Sequence, residues 1–278
     1  MKNRKVAFVG GGNMTRAIAG GLIESGFASS DILISEPAEE ARISLANTFS
    51  DIRVSADNKD IVANAGCVVL SVKPQILPTV CRELRDTVQQ TRPLIVSIAA
   101  GTRSADIDEW LGGGLSVIRI MPNQPALLRL GVSGLFANDR VSEAEREHAA
   151  AIIGAVGSVV HVEHEADIDA ITAVSGSGPA YFFLLIDMLT KTAIDLGIDK
   201  EAAKTLAVDT ANGAAALAGS ESQSMDALIA RVRSPGGTTA AALDNLENAG
   251  VRDIFSAAIT AACNRAKTLA DEAHNSQD

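Results

Sequence analysis

The chain has 278 residues, 47% hydrophobic and 21% charged, a globular composition with length enough for two domains. Its formal charge of −10 argues against nucleic acid or a membrane surface as partner, so an anionic ligand needs a local site of backbone N–H groups or a few placed cations. Aromatic residues make up only 3%, which leaves the cores to aliphatic packing, and the three cysteines, Cys67, Cys81 and Cys263, lack metal-ligand spacing and read as reduced thiols of a cytoplasmic protein.

The first 160 or so residues alternate short β-branched runs with helical patterns. Strands are expected at 5–9, 31–35, 67–71, 94–98 and 116–120, with helices near 14–25, 38–49, 75–87 and 104–111. That alternation indicates βαβ units on a parallel sheet. Residues 131–137 and 158–162 extend the sheet and flank a helix that starts at Ser142, with Glu145 completing a capping-box pattern. Beyond residue 162 the pattern is helical: 167–174, 179–196, 200–218, 225–232, 239–249 and 252–273. The reading is an α/β, doubly wound domain over 1–162 followed by an all-helical domain over 163–278. MKNRK is followed by too short an apolar run for a signal peptide. The run AYFFLLIDML (180–189) is about half a membrane span, contains Asp187, and reads as a buried helix.

VAFVGGGNM carries the first turn from strand to helix. Gly10 permits a tight turn and Gly12 lets a dinucleotide pyrophosphate reach the helix N-terminus. Thr15 stands where the third glycine of that pattern falls, a change expected to loosen helix–sheet packing. Glu36, at the end of the second strand, can accept hydrogen bonds from the ribose of NAD and repel a 2′-phosphate; alternatively it faces solvent, and Ser35, Asn58 and Arg42 shape the pocket. SVKPQ (71–75), SIAAG (97–101) and IMPNQPA (120–126) each follow a strand, at the edge where α/β proteins bind ligands. Lys73 there suits a ribose or phosphate, and Ala99, Ala100 and Gly101 admit a nicotinamide ring against backbone.

In the helical half, AVSGSGPAYFF (173–183) enters the long helix, and RSPGGTTAAAL (233–243) breaks the helical pattern. Successive N–H groups at Gly236, Gly237, Thr238 and Thr239 form an anion nest, with hydroxyls at Ser234, Thr238 and Thr239. It suits a small carboxylate whose neighbouring nitrogen also needs an oriented hydrogen bond. The four histidines form no nucleophile or metal constellation, so no metal is expected. Lys191 reads as a solvated helix lysine.

VGGGNM, SVKPQ, SIAAG, VSGSGPAYFF and RVRSPGGTTAAAL, in this order and spacing, resemble pyrroline-5-carboxylate reductase over essentially the whole chain. The resemblance implies hydride transfer from a reduced nicotinamide cofactor to a cyclic imine, giving L-proline. It implies a Rossmann-like domain and a helical domain that dimerises by interlocking helices, with dimers often assembled into decamers and the SPGGTT-type loop supplied by the partner. By position, Ser234, Gly236, Gly237, Thr238 and Thr239 would hold the substrate, with Thr239 at the imine nitrogen as the catalytic group. Gly10, Gly12, Asn13, Met14, Ser35, Asn58, Val72, Lys73 and Ala100 would line the cofactor site, with Glu165 near the nicotinamide end. NADPH is the cofactor implied; Glu36 is the departure that brings NADH into consideration.

Two other readings share part of this pattern. A β-hydroxyacid dehydrogenase would place a lysine and an asparagine one turn apart on the long helix, and Lys191 has no such asparagine. A dinucleotide-sensing scaffold would keep both turns but show no turnover.

Overall fold

The computed structural model describes residues 5–275. The chain separates into two compact units: one runs to Ser177 and resumes at Ala262, and the other is Gly178–Ala261.

In chain order the first unit contains β1 (Val6–Val9), α1 (Asn13–Glu24), β2 (Ile32–Ser35), α2 (Glu39–Thr48), β3 (Arg53–Ser55), α3 (Asn58–Val62), β4 (Cys67–Leu70) and α4 (Leu77–Thr91). It continues with β5 (Leu94–Ser97), α5 (Ser104–Trp110), β6 (Val117–Met121), β7 (Gly131–Ala137), α6 (Glu143–Gly154), β8 (Gly157–Val162) and α7 (Asp167–Ile171). A π-helical turn, Thr172–Gly176, follows. The strands form one sheet in the order β3-β2-β1-β4-β5-β6-β7-β8. All neighbours are parallel except β6 and β7, which run antiparallel. This is the doubly wound, Rossmann-like arrangement expected from the alternating pattern, with strand order reversing between β1 and β4.

Strands β1, β2, β4 and β5 are buried on both faces, which is why they read as continuous apolar runs. Along β1, Val6 and Phe8 join one core with Ile18, Leu22, Leu45 and Ile152, while Ala7 and Val9 join the other with Ile61, Leu77, Leu84 and Trp110. Each such side chain removed from water contributes about 1.5–3 kcal/mol. Ser142 and Glu145 form the expected capping box at the start of α6. The sequence pattern missed β3 and α3. β3 has three residues and sits at the sheet edge with Arg53 exposed, and α3 has five residues, so neither is long enough to show a period.

The second unit comprises α8 (Gly178–Asp195), α9 (Lys200–Ser220), α10 (Met225–Val232), α11 (Thr238–Asn248) and the first part of α12 (Val251–Asn275). Asp199 caps α9 by accepting the N–H groups of Glu201 and Ala202. Among its described residues, only Gly178, Ala203, Ala207 and Ala240 are buried within a single chain. The long helix is therefore not the buried element its apolar sequence suggested. Phe182 is 62% exposed, Phe183 59% and Leu184 59%, and Met188 and Leu189 are also open. By length and composition the helical run 167–195 is apolar enough to cross a bilayer, with only 11% of an apolar 18-residue stretch within it buried inside the chain. The difference arises because apolar sequence alone does not say whether the single chain supplies a surface to pack against this face, and here it does not.

Candidate functional site

In an open α/β sheet, ligands bind beyond the carboxyl ends of the strands where strand order reverses, here between β1 and β4. At that edge the first unit gathers Gly10–Met14 after β1, Glu36 after β2, Asn58 after β3, Val72 and Lys73 after β4, Ala100 after β5 and Asn123 after β6.

The β1–α1 turn is built for a close backbone approach. Gly10 has φ +105°, and a Cβ there would stand 2.9 Å from the Ser71 carbonyl oxygen, so only glycine fits. Its N–H donates to the Ser35 carbonyl at 2.9 Å. Gly12 precedes α1 with no side-chain cap, and nothing lies within 4 Å of where its Cβ would be. Gly12 and Asn13 are exposed and Met14 is half-buried, which leaves the first turn of α1 open to an anionic group.

Thr15 does not loosen this turn. It has no exposed surface; its hydroxyl donates to the Gly10 carbonyl at 2.6 Å and lies 2.8 Å from the Ser71 hydroxyl. Ser71 Oγ in turn lies 3.0 and 2.9 Å from the Val9 and Gly10 carbonyls. A glycine or alanine would leave the Ser71 hydroxyl without its hydroxyl partner.

Glu36 does not face solvent. Its Oε2 accepts the Gly11 N–H at 3.0 Å and its Oε1 accepts the Ala38 N–H at 3.1 Å, which fixes the carboxylate beside the glycine turn. Arg42 donates to the carbonyls of Glu36 and Pro37, at 3.0 and 2.6 Å, and stands next to it. Ser35 is fully buried, with its hydroxyl 3.4 Å from the Phe8 carbonyl, so its part in the turn is the carbonyl that holds Gly10. Asn58 is the first residue of α3 and half-buried, with Asp57 capping that helix through the Lys59 N–H. A Val72 methyl would stand 3.2 Å from a Cβ on Gly10, and Lys73 is exposed.

Ala100 is half-buried and lines a cavity of about 340 Å³ with Pro74, Pro78, Gly101 and Leu269. Glu165 sits further along the same side. Its Oε1 accepts the Ser104 N–H at 2.6 Å and Arg119 Nη1 at 3.0 Å, and its Oε2 accepts the Ser104 hydroxyl at 2.7 Å. Arg119 is almost wholly buried and also reaches Asp169 at 3.8 Å. Burial raises the Asp169 carboxyl above its usual range, against the lowering influence of Arg119.

A second cavity, about 270 Å³, lies directly against the β1–α1 turn and is lined by Asn13, Met14, Pro122, Asn123, Leu127 and Gly176. Asn123 was not among the residues expected from sequence. Its signal was present in IMPNQPA, a polar side chain between two prolines at a strand's carboxyl end.

The Ser234–Thr239 segment belongs to the second unit. The Gly237 N–H donates to the Ser234 carbonyl at 3.1 Å, with Pro235 and Gly236 between and Gly236 at φ +69°. This is the type II turn that a Pro-Gly pair favours. A Cβ on Gly237 would stand 2.4 Å from the Ser234 hydroxyl, so that hydroxyl packs directly on the glycine. Gly237 opens α11 without a side-chain cap, which leaves the first-turn N–H groups at Thr238 and Thr239 as the dominant polar feature. Thr239 is half-buried; Ser234, Gly236 and Thr238 are exposed. Lys191 pairs with Asp187 at 2.7 Å on an exposed helix face, a surface ion pair and not a reacting group. Among the described residues no cluster of histidine, cysteine or carboxylate groups could hold a metal.

The model of pyrroline-5-carboxylate reductase dimerisation matches residues 165–269, and that of coenzyme F420-dependent NADP oxidoreductases matches residues 5–101. The pyrroline-5-carboxylate reductase of Pseudomonas aeruginosa is 44% identical over 272 residues, covering 98% of this chain and 99% of its own. A solved pyrroline-5-carboxylate reductase from Coxiella burnetii is 40% identical with a TM-score of 0.91, covering 95% of this chain and 98% of its own. The Plasmodium falciparum pyrroline carboxylate reductase, solved with NADP bound, is 26% identical with a TM-score of 0.85, covering 97% and 99% of the two chains.

Proposed function

The chain belongs to the pyrroline-5-carboxylate reductase family, and from that premise we infer how its two glycine-rich turns divide the work of imine reduction. The enzyme is an NAD(P)H-dependent oxidoreductase acting on a C=N bond: it reduces 1-pyrroline-5-carboxylate to L-proline, and it associates with itself. The reduced nicotinamide supplies the hydride when bound. The β1–α1 turn, with Gly10, Gly12, Asn13 and Met14, receives its pyrophosphate; Glu36 and Asn58 lie on the adenosine side, and Val72, Lys73, Ala100 and Glu165 towards the nicotinamide side.

The substrate carboxylate is assigned to the nest of Ser234, Gly236, Gly237, Thr238 and Thr239, contributed by a second copy of the chain. The observation that carries this assignment is the Pro-Gly turn that leads into α11 with its N–H groups uncapped by any side chain. Thr239 then stands at the imine nitrogen. A protonated imine is already electrophilic: the hydride adds at the imine carbon, the C=N pair moves to nitrogen, and no acid–base cluster is required. Holding the imine carbon over the nicotinamide contributes roughly 7–11 kcal/mol in well-aligned cases, so orientation carries most of the catalysis.

NADPH is the reductant we assign, with NADH also accepted because the Glu36 carboxylate sits where a ribose hydroxyl can donate to it. The apolar face of α8 meets a second copy and not lipid, dimers build larger assemblies, and the enzyme works in the cytoplasm with its thiols free. The test is oxidation of NADPH and, separately, of NADH with pyrroline-5-carboxylate, followed by loss of reduced-nicotinamide absorbance. Turnover with either supports the reading; a folded, cofactor-binding protein that turns over neither overturns it.

A further inference from the structure

The π-turn Thr172–Gly176 has a cause that can be read from its sequence. In a continuous α-helix the Ser175 carbonyl would accept from residue 179, which is Pro179 and has no N–H. The helix widens instead, with the Ser177 N–H donating to the Thr172 carbonyl at 2.8 Å. Asn123 supplies the missing donor: its Nδ2 reaches the Ser175 carbonyl at 3.1 Å. Its Oδ1 accepts the Val132 N–H at 3.0 Å, so one carboxamide joins the carboxyl end of β6 to both β7 and the π-turn. The residue is only 8% exposed. It lines the same cavity as Asn13 and Met14 of the cofactor turn and Gly176 of the π-turn. The contact is tight: a Cβ on Gly176 would stand 2.8 Å from the Met121 methyl.

We propose that Asn123 is a positioning residue for hydride transfer, holding the π-turn at the spacing from the cofactor turn that the two reacting rings require. The proposal rests on the imine-reductase reading and adds a residue to it. Asn123 touches neither ring in this account; it sets the width of the space in which they meet. An orientation error near 1 Å costs about 10²-fold in rate, so a small shift of the π-turn is enough to register.

The experiment compares wild type, Asn123→Asp, Asn123→Ala, Pro179→Ala and the Asn123→Ala, Pro179→Ala double substitution, from about pH 5 to 8. Asn123→Ala is expected to lower kcat about 10–100-fold while both KM values stay within about threefold. Asn123→Asp keeps the acceptor for Val132 but donates to Ser175 only when protonated. Its kcat relative to wild type is therefore expected to recover as pH falls. Pro179→Ala returns an N–H to that position, so the double substitution is expected to lose less than the product of the two single losses. Should Asn123→Ala fail to fold, the pH response of Asn123→Asp still reads the effect. A folded Asn123→Asp that matches wild type at every pH overturns the positioning role alone; wild type that turns over no pyrroline-5-carboxylate overturns the functional reading beneath it.

Discussion

The Glu36 carboxylate accepts the backbone N–H of Gly11 at 3.0 Å, joining the end of β2 to the β1–α1 turn across 25 residues of chain. A negative charge held this firmly cannot easily swing aside for a 2′-phosphate, and repulsion at partly exposed separations is on the order of 1–3 kcal/mol. Glu36→Gln is therefore expected to raise the NADPH-to-NADH ratio of kcat/KM by about 5- to 150-fold. Steady-state kinetics with both cofactors measures it; an unchanged ratio removes Glu36 as the discriminating group.

Thr239→Ala is expected to lower kcat and kcat/KM together by about 10²-fold, because a hydroxyl that orients the imine nitrogen acts most strongly in the transition state. A higher KM at full kcat would reduce the residue to ground-state binding.

Gly10 and Gly12 share a turn but not a constraint. Gly10→Ala forces a Cβ to within 2.9 Å of the Ser71 carbonyl at φ +105°, whereas at Gly12 the space is open. Gly10→Ala should lower Tm and abolish NADPH binding; Gly12→Ala should keep the wild-type Tm and weaken only the cofactor. Melting curves and nicotinamide fluorescence separate the two, and equal Tm losses would contradict the geometry.

The Arg119 cluster responds oppositely at its two acids. Glu165→Gln leaves a buried guanidinium without its near partner and is expected to cost about 3–5 kcal/mol of stability in denaturant titration. Asp169 has a folded pKa raised above its usual 3.8, chiefly by burial, so the folded state binds its proton more tightly than the unfolded chain. Its penalty is thus present at neutral pH and relieved as pH falls through the raised value. Asp169→Asn should raise Tm at pH 7 and lose that advantage on acidification. A gain that grows in acid would reverse the assignment.

Burial pushes the Cys67 and Cys81 thiols up to about 12. Neither should react with iodoacetamide in the native protein near pH 8, while all three cysteines label once it is unfolded. Rapid native labelling of Cys67 would show that the core opens under those conditions.

Much of the fold was legible because its signals are local and repeated. Buried runs such as CVVL carry their own strand assignment, and Ser142 with Glu145 announces the start of α6. The turn after β1 was legible because a glycine has one conformational purpose there, as Gly10 at φ +105° shows. Three features were not. Thr15 looked like a defect because its value lies in the Ser71 hydroxyl, 56 residues away. Asn123 gave no sign that it would serve the carbonyl left open by Pro179, since that link runs across 52 residues. The apolar length of α8 suggested burial, yet hydropathy carries no information about which chain provides the cover.

Given the scarcity of buried side chains in residues 178–261, a second copy as cover for this helical unit makes it sensitive to dilution. A unit whose interior forms only on meeting its like has no fixed melting point; its stability rises with protomer concentration. Scarce, newly made chains would hold a finished sheet beside an unfinished helical unit, and become active with second-order kinetics. Damage anywhere on the apolar faces of α8 and α9 would then appear first as a slower onset of activity at low abundance, before any change in turnover per assembled enzyme.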